Sequence, residues 1–157
     1  MIRIYTDGSS RGNPGPGGFG TILKYNDKVK EISQGFRLTT NNRMELMAVI
    51  VGLESLKTTQ IPVTIYSDSK YVIDSITLGW VFGWVKKGFK GKKNKDLWLR
   101  YLKLHSQFEL KFVWVKGHAG HPENERCDVL AVNAAVINPT NIDEGYETDS
   151  ENNDLWS

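Results

Sequence analysis

Four acidic residues stand at positions from which a folded α/β chain could bring their carboxylates together: Asp7, Glu45, Asp68 and Asp128. Asp7 and Asp68 each follow a β-prone segment, and ligands of open α/β sheets bind beyond the carboxyl ends of the strands. Four anions gathered there repel one another unless a cation lies between them, and carboxylate oxygens favour Mg²⁺ or Mn²⁺. Each acid taken singly also has an ordinary structural explanation, such as ending a strand, favouring a helix N-terminus or facing solvent. The spacing alone leaves both interpretations open.

A histidine that could take part in the same chemistry, His118, stands in a glycine-flanked loop directly before the predicted helix that carries Asp128. The glycines allow such a loop to move. A zinc site made of His118, His121 and Cys127 is the competing hypothesis, but it lacks a fourth soft ligand at finger-like spacing. Cys127 lies in mid-helix, which favours a small buried hydrophobe over a thiol nucleophile.

The segment Gly15–Gly20 matches the pattern G-x-G-x-x-G of dinucleotide-binding loops. That pattern requires a helix to begin at the glycines, so that its N-terminal N–H groups meet the pyrophosphate. Here Pro16 lies inside the pattern and the residues after Gly20 are typical of a strand. The sequence therefore predicts a glycine-rich turn between two strands, whose uncovered backbone could approach a substrate closely.

Hydrophobic periodicity predicts the elements that must position these residues. The predicted strands are Ile2–Thr6, Gly20–Tyr25, Val29–Phe36, Pro62–Tyr66 and Leu110–Val115. The predicted helices run from a cap in Thr39–Asn42 to about Lys57, from Lys70 to Ile76, from a cap at Asp96 to about His105, and from Pro122 to about Ile137. Strands that alternate with helices after a meander of strands indicate an α/β domain with a mixed sheet.

The charge of the chain is uneven. The formal net charge is +2, yet residues 143–157 carry six acidic side chains and neither lysine nor arginine. The remaining residues hold all 20 basic side chains and 12 of the 18 acidic ones. Six lysines lie within Trp84–Lys95, between aromatic residues. A basic body of this kind indicates a polyanionic partner such as a nucleic acid.

Composition predicts one domain over residues 1–140 and an acidic, flexible tail over residues 141–157. The alternative is that Tyr146 or the pair Leu155-Trp156 docks on the body or on a protein partner. The single cysteine excludes an internal disulfide framework, and the N-terminus lacks the apolar region of a signal peptide, which indicates a cytoplasmic protein. No apolar run approaches the ~18 residues that a membrane span needs.

Five blocks of the sequence resemble the bacterial type of ribonuclease H, in the family's order: YTDGS…GNPGPGG, TTNNRMELMA, YSDSKYV, NKDLW and VWVKGHAGHPENERCD. The resemblance spans Ile2 to Ala135 and implies the ribonuclease H-like fold, a mixed five-stranded sheet flanked by helices. It implies a monomeric endonuclease that cuts the RNA strand of RNA–DNA hybrids with two Mg²⁺ ions, for which Mn²⁺ could substitute, leaving 5′-phosphate and 3′-hydroxyl ends. The family's catalytic and metal-binding acids fall on the four acids named above. Its mobile histidine falls on His118, to which we assign proton transfer or product release.

The resemblance also implies where the hybrid binds. The family's hybrid-contacting positions fall on Ser10, Asn13, Asn41 and Lys70. The glycine-rich turn would line the minor groove, where the 2′-hydroxyl marks the RNA strand, and Glu45 would accept a hydrogen bond from one such hydroxyl. The DNA strand would lie on Trp80–Lys95, including Trp80, Lys86 and Lys87, with Thr40 and Asn94 reaching one phosphate.

Three residues depart from the family pattern. Ser10 stands where the bacterial family often has cysteine, Lys70 replaces a frequent glutamine, and Val132 replaces an arginine near the DNA-phosphate pocket. The basic loop from Trp84 to Trp98 is also a few residues shorter than in the better-known members of the family. We expect Lys70 to make binding tighter and more sensitive to salt. Two other functions remain as alternatives: a non-catalytic nucleic-acid-binding module, and a DNA strand-transfer or junction nuclease on the same fold.

Overall fold

A five-stranded mixed sheet forms the centre of the molecule. The computed structural model describes residues 1–118 and 120–148, with His118 described by its backbone. The strands are β1 (Ile2–Ser10), β2 (Gly15–Tyr25), β3 (Lys28–Thr39), β4 (Val63–Ser67) and β5 (Leu110–Trp114), and their order across the sheet is β3-β2-β1-β4-β5. β1 to β3 pair antiparallel, whereas β4 pairs parallel with both β1 and β5. The mixed sheet predicted from the sequence is confirmed.

Five α-helices and a short 3₁₀ helix surround the sheet in the described part of the chain. They are α1 (Asn41–Glu54), α2 (Lys70–Thr77), α3 (Trp80–Lys86), α4 (Lys95–His105), the 3₁₀ helix Lys116–His118, and α5 (Pro122–Val136). Among the described residues, none of these helices has the length and apolar character that crossing a membrane requires.

Helix α1 is the centre of the core. Ten of its 14 residues are buried, because one side faces β1 and β2 and the other faces α4. Leu46 and Ile50 have no exposed surface, as the apolar stripes on both sides of the predicted helix indicate. Helix α5 covers β1 to β3. A smaller apolar cluster, in which Cys127 of α5 packs with Tyr5 and Ile22 of the sheet, lies between the helix and the strands.

The glycine-rich segment is a strand rather than the predicted turn. β2 begins at Gly15, five residues before the predicted start at Gly20. A Cβ atom on Gly20 would lie 2.4 Å from the carbonyl oxygen of Cys127, and one on Gly18 would lie 2.6 Å from that of Ala131. The glycines therefore allow α5 to lie directly on the sheet, and the turn itself is confined to residues 11–14.

Two other details differ from the sequence-based expectation. Helix α3 forms within the segment that lacked a predicted element, and Val81 anchors it by complete burial. The predicted cap of α4 at Asp96 is wrong by two residues. Asn94 occupies the cap position in the left-handed conformation (φ 67°), while Asp96 lies in the first turn and binds Arg43.

The beginning of the acidic tail packs on the body. Asn141 forms a bridge with Phe36, Asp143 is buried, and residues 144–148 form a helical turn. These contacts favour the docking alternative for residues 141–148, and the flexible tail over residues 141–157 stays a prediction. Leu155-Trp156, the other docking candidate, lies outside the described residues. The domain boundary at residue 140 stays a prediction.

Candidate active site

Three of the four predicted acids meet at one edge of the sheet. Asp7 lies in β1, and Asp68 follows the last residue of β4. β1 and β4 are parallel neighbours, so their carboxyl ends lie side by side. Helix α1 brings Glu45 to the same edge from its second turn. One carboxylate oxygen of each residue lies within 4.8 Å of the others.

Gly8 makes this closeness possible. A Cβ atom at this position would lie 2.4 Å from the backbone nitrogen of Glu45, so only glycine allows α1 to approach β1 here. The Gly8 N–H lies 2.9 Å both from Asp7 Oδ1 and from Glu45 Oε1, and donates to the two carboxylates. The short motif Asp7-Gly8 thus supplies one acid and, through the missing side chain of Gly8, the space that lets Glu45 approach it.

Burial and like charge shape the electrostatics of Glu45. Burial raises its pKa well above the usual value, and the neighbouring charges of Asp7 and Asp68 raise it further. The second oxygen, Oε2, is buried without a hydrogen-bond partner among the described residues. A buried acceptor oxygen beside two further carboxylates fits a hard divalent cation such as Mg²⁺ or Mn²⁺, which takes oxygen ligands. The residues present therefore fit the implied metal.

The fourth predicted acid, Asp128, does not join this group. Its residue is exposed on α5, and the cluster within 4.8 Å comprises only the other three acids in the described part of the chain. The backbone is nevertheless close, because the carbonyl of Cys127 lies against Gly20, the residue that pairs with Asp7. The structure thus brings three of the four acids together, and the place of Asp128, on the adjoining helix, in a metal site stays a prediction.

The histidine loop is described only in part. His118 ends the 3₁₀ helix Lys116–His118, in which Gly117 has a positive φ of 59°. His121 occupies the N-cap position of α5, and its ring packs against Tyr66 at a centroid distance of 6.2 Å. The Cys127 thiol donates to the carbonyl oxygen of Tyr5 at 3.2 Å, and burial raises its pKa. A buried, protonated thiol engaged in this way gives no support to the zinc hypothesis.

A cavity of about 260 Å³ adjoins the acids. Its lining residues come from the N-terminal half of α1 and from the segment that leads into α2: Asn41, Asn42, Glu45, Asp68, Ser69, Lys70 and Tyr71. Two predicted hybrid-binding residues, Asn41 and Lys70, thus share one groove with two of the acids. The Lys70 ammonium lies 4.0 Å from the centroid of the Trp114 ring, whose N–H donates to the backbone oxygen of Asp68 at 3.1 Å.

The turn between β1 and β2 lies beside this groove. Asn13 Oδ1 accepts a hydrogen bond of 3.0 Å from the backbone N–H of Asn41, which ties the turn to the start of α1. Ser10 is half-buried at the end of β1, opposite Gly17. The structure therefore gathers Ser10, Asn13 and Asn41, three predicted contacts of the minor groove, at one edge.

The remaining predicted contacts lie at the N-terminal ends of α1 and α4 and along α3. Thr40 is the N-cap of α1, and its hydroxyl accepts from the Arg43 backbone N–H at 3.3 Å. The Asn94 amide donates to the Tyr71 hydroxyl oxygen at 3.1 Å. Trp80 is 49% exposed at the start of α3. Lys86 and Lys87 lie exposed at the end of that helix.

Two residues of this region were not singled out from the sequence. Tyr71 and Arg43 both occur inside the motif blocks, next to the predicted residues Lys70 and Asn41–Asn42. A polar or charged residue in a motif at a helix N-terminus was the signal available for each.

A buried carboxylate cluster at the ends of parallel strands, beside a groove lined by amides and a lysine, defines an enzyme of the metal-dependent nuclease type. Comparison with known proteins identifies the kind. Residues 1–136 match the family model described as RNase H. The chain is 57% identical over 151 residues to a protein named Ribonuclease H from Rippkaea orientalis, covering 93% of this chain and 92% of the relative. It is 54% identical over 155 residues to a Ribonuclease H of Salmonella arizonae, covering 96% and 98%.

The fold agrees with that of solved structures. LC9-RNase H1, a type 1 RNase H with the type 2 active-site motif, superposes with a TM-score of 0.75 at 32% identity, covering 95% of this chain and 80% of that one. LC11-RNase H1 in complex with RNA/DNA hybrid superposes with a TM-score of 0.63 at 27% identity, covering 86% and 96%. The chain belongs to the RNase H family, and it is a hydrolase that cleaves RNA in RNA–DNA hybrids.

Proposed function

We propose that the chain hydrolyses the RNA strand of RNA–DNA hybrids internally with two divalent metal ions, leaving 5′-phosphate and 3′-hydroxyl ends. Mg²⁺ is the proposed metal, and Mn²⁺ can replace it. The observation that carries the proposal is the group of carboxylate oxygens of Asp7, Glu45 and Asp68 within 4.8 Å of one another. The buried, unpartnered Oε2 of Glu45 supports it, because a polar atom without a partner is costly unless a ligand satisfies it.

The acids act as ligands and transfer no proton themselves. Asp7, Glu45 and Asp68 are the proposed central metal ligands, and Asp128 on α5 is the proposed fourth ligand. Bound ions of this kind lower the pKa of a water molecule and stabilise the charge on the leaving oxygen. Because Glu45 belongs both to the acid group and to the groove, its carboxylate can also accept a hydrogen bond from a 2′-hydroxyl.

His118 is proposed to transfer a proton or to assist product release. Its position between β5 and α5, next to Gly117 with its positive φ, supports a residue that can change place. The helix that follows carries Asp128, so a movement of this loop would occur beside the proposed fourth ligand.

The hybrid is proposed to lie across the groove, with its minor groove on the turn between β1 and β2. Ser10, Asn13, Asn41 and Lys70 would contact the RNA side. This orientation is supported by the hydrogen bond between Asn13 and Asn41, which fixes the turn against the groove. The similarity to LC11-RNase H1, solved with an RNA/DNA hybrid, supports the substrate class.

The DNA strand is proposed to follow the side of α2 that faces α3 and α4. Thr40 and Asn94 would hold one phosphate, and Trp80, Lys86 and Lys87 would contact the strand beyond it. Exposure of the indole of Trp80 and of both lysines supports this assignment, since contacts to a polyanion require accessible cations.

Location and assembly are part of the same proposal. A single buried cysteine, Cys127, fits a reducing compartment such as the cytoplasm. A monomer is proposed, which sedimentation at micromolar concentration tests. A protein partner that binds through the acidic tail, residues 141–157, is proposed as well.

The test is cleavage of a hybrid whose RNA strand carries a 5′ label. We expect internal RNA cuts with Mg²⁺ or Mn²⁺, none with a chelator, and fragments whose 3′ ends a polymerase can extend. Duplex DNA and a four-way DNA junction serve as controls. Binding of the hybrid without cleavage would establish the non-catalytic module instead, and cutting of the all-DNA substrates would establish the junction nuclease.

A further inference from the structure

Arg43 is a buried cation two residues before the catalytic acid Glu45. Its side chain is 2% exposed and contacts two carboxylates. Toward the tail, Nε and Nη2 donate to the two oxygens of Asp143, each at 2.8 Å. Toward α4, Nη1 and Nη2 donate to Asp96 at 2.8 and 2.6 Å. This pair of two-point contacts joins α1, α4 and the C-terminal segment at a single side chain.

The C-terminal strap, residues 141–147, closes over this arginine. It begins at Asn141, whose backbone oxygen accepts from the Arg37 N–H at 2.9 Å. Asp143 then accepts a hydrogen bond of 2.7 Å from the Thr39 hydroxyl. A Cβ atom on Gly145 would lie 1.9 Å from Asp96 Oδ2 and 3.0 Å from Arg43 Nη2, so the strap crosses the ion pair in direct contact. It ends with the exposed pair of Arg37 and Glu147.

The same arginine contacts both residues assigned to a DNA phosphate. Its backbone N–H donates to Thr40 Oγ1, and its Nη1 donates to Asn94 Oδ1 at 3.4 Å. Arginine has no acceptor, so it fixes the carbonyl side of the Asn94 amide toward itself and the NH₂ side away. That NH₂ donates one hydrogen to Tyr71, whose oxygen also accepts from Trp98.

The remaining donors are oriented as a consequence. Thr40 accepts from Arg43, which leaves its own hydroxyl hydrogen to donate. Asn94 retains a second amide hydrogen, and Tyr71, which accepts twice, retains its hydroxyl hydrogen. Side chains at the starts of α1, α2 and α4 thus each keep one hydrogen that can be donated, and the oxygens of a phosphate can accept such hydrogens.

We propose that Arg43 and Asp143 are positioning residues for substrate binding: the C-terminal strap holds Arg43, and Arg43 orients Thr40 and Asn94 toward one phosphate of the DNA strand. This inference rests on the proposed function, because it needs a hybrid that contacts those two residues. Because Arg43 and Asp143 lie outside the acid group, their loss is expected to raise KM and to leave kcat unchanged.

The test measures hybrid affinity in the presence of chelator, so that the RNA stays intact. Single phosphates of the DNA strand are replaced one at a time by neutral methylphosphonates. For the wild type we expect one position at which the replacement weakens binding about 10-fold, the effect of a lost hydrogen bond to a charged group. Asp143→Asn should weaken binding of the unmodified hybrid by a similar factor, and the sensitive methylphosphonate should then have no further effect.

Two variants make the test specific. Glu147→Gln breaks the exposed contact of the same strap and should keep the full methylphosphonate effect. Gly145→Ala inserts a methyl group against Asp96 and should behave as Asp143→Asn does, which provides a second route if that variant folds poorly. Steady-state kinetics with Mg²⁺ should show a raised KM with kcat unchanged for both Asp143→Asn and Gly145→Ala.

Two results would overturn the inference. One is a folded Asp143→Asn protein that retains the full 10-fold loss at the sensitive phosphate. The other is a wild type with no sensitive phosphate at all. Neither result touches the proposed cleavage reaction, which depends on cleavage of the hybrid by the wild type with metal; the second result would remove only the proposed phosphate contact of Thr40 and Asn94.

Discussion

Two clusters of acids meet helix α1 two residues apart, and they differ in what lies at their centre. Around Arg43, two carboxylates surround a buried guanidinium. Around Glu45, two further carboxylates surround a buried carboxylate. The pKa directions reflect this difference. Burial acts to lower the pKa of Arg43, but hydrogen bonds to Asp96 and Asp143 outweigh it and the pKa is raised. At Glu45, burial and the charges of Asp7 and Asp68 act together to favour the protonated form.

The two clusters also differ in whether the protein alone satisfies their polar groups. The arginine cluster is complete within the protein and stabilises the contact of three segments. The Glu45 cluster leaves an acceptor oxygen unpartnered among the described residues, and its like charges repel one another unless a cation binds between them or Glu45 takes up a proton. A buried polar cluster that is incomplete in the protein alone is therefore the one to examine for chemistry.

Removal of a carboxylate from the incomplete cluster has the largest expected effect. Asp7→Asn should lower kcat about 10³-fold, because several kcal/mol of transition-state stabilisation depend on ions held by this group. Affinity for the hybrid in chelator should stay within about threefold, since binding rests on other residues. Single-turnover cleavage and a binding titration measure the two effects.

Asp128→Asn sharpens this prediction, because Asp128 lies outside the group of three. We expect a smaller loss than for Asp7→Asn. Glu31→Gln is the matched control, since Glu31 forms an exposed pair with Arg126 on the sheet edge and should leave activity unchanged. A loss at Asp128→Asn as large as at Asp7→Asn would show that substrate or metal draws that residue fully into the cluster.

Disruption of the complete cluster should lower stability, in addition to the loss of hybrid affinity inferred above. Asp143→Asn leaves the buried guanidinium with one carboxylate, a change that costs about 3 kcal/mol for a buried pair. For a chain of this size the melting temperature should fall by about 6–12 °C. Thermal unfolding monitored by circular dichroism measures the shift.

Glu147→Gln serves as the control in the same strap. Its partner Arg37 has a side chain 57% exposed, and exposed pairs contribute less than about 1 kcal/mol. Equal shifts for Asp143→Asn and Glu147→Gln would mean that the strap acts as a whole, and that the buried arginine has no special part in stability.

Local patterns predicted much of this molecule. The alternation in Ile2–Thr6 and the apolar stripes of α1 predicted the strands and the central helix, because burial repeats with the period of the element. The boundaries of the strands and helices were harder to predict from local patterns. Gly15–Gly20 was taken for a turn because glycine is common in turns, and the helix α5 that requires those glycines lies more than 100 residues later.

The site shows the same division. Asp7, Glu45 and Asp68 were predicted from their places at element ends and from family motifs, and the structure brings them together. The role of Arg43 was not predicted, because its partners Asp96 and Asp143 lie 53 and 100 residues away. Composition predicts a flexible tail and gives no sign that Asp143 is buried, because residue type does not distinguish a buried aspartate from an exposed one.

The destabilisation caused by the charge of Glu45 can be measured in the metal-free protein as a change in the free energy of unfolding with pH. Because the pKa of Glu45 is raised by folding, its contribution to stability is fully present below its unfolded pKa near 4.5 and is lost as the pH rises through the folded pKa. Glu45→Gln removes this ionisation. We expect the variant to be more stable than the wild type by about 1 kcal/mol at pH 8, a gain typical of a relaxed functional site.

Two features distinguish this outcome from a general effect of the substitution. The gain should shrink toward zero as the pH approaches 4.5, and saturating Mg²⁺ should reverse it, because the wild type then gains a ligand that the variant binds less well. A gain that does not depend on pH would show that packing, rather than charge, causes it.

The smallest expected effect concerns Lys70, which lines the groove together with Glu45 and Asp68. Its Nζ lies 4.0 Å from the centroid of the Trp114 ring, near enough to the acids to contact the same substrate. Lys70→Gln should make the plot of log affinity against log salt about 0.9 less steep, the value for one phosphate contact, and should weaken binding a few-fold at low salt. Lys30→Gln removes the same charge from an exposed position on β3 and should leave the slope unchanged. Equal slopes for the two variants would mean that Lys70 acts only through net charge. A salt dependence of affinity that changes only for Lys70→Gln would place a substrate phosphate directly beside the group of Asp7, Glu45 and Asp68.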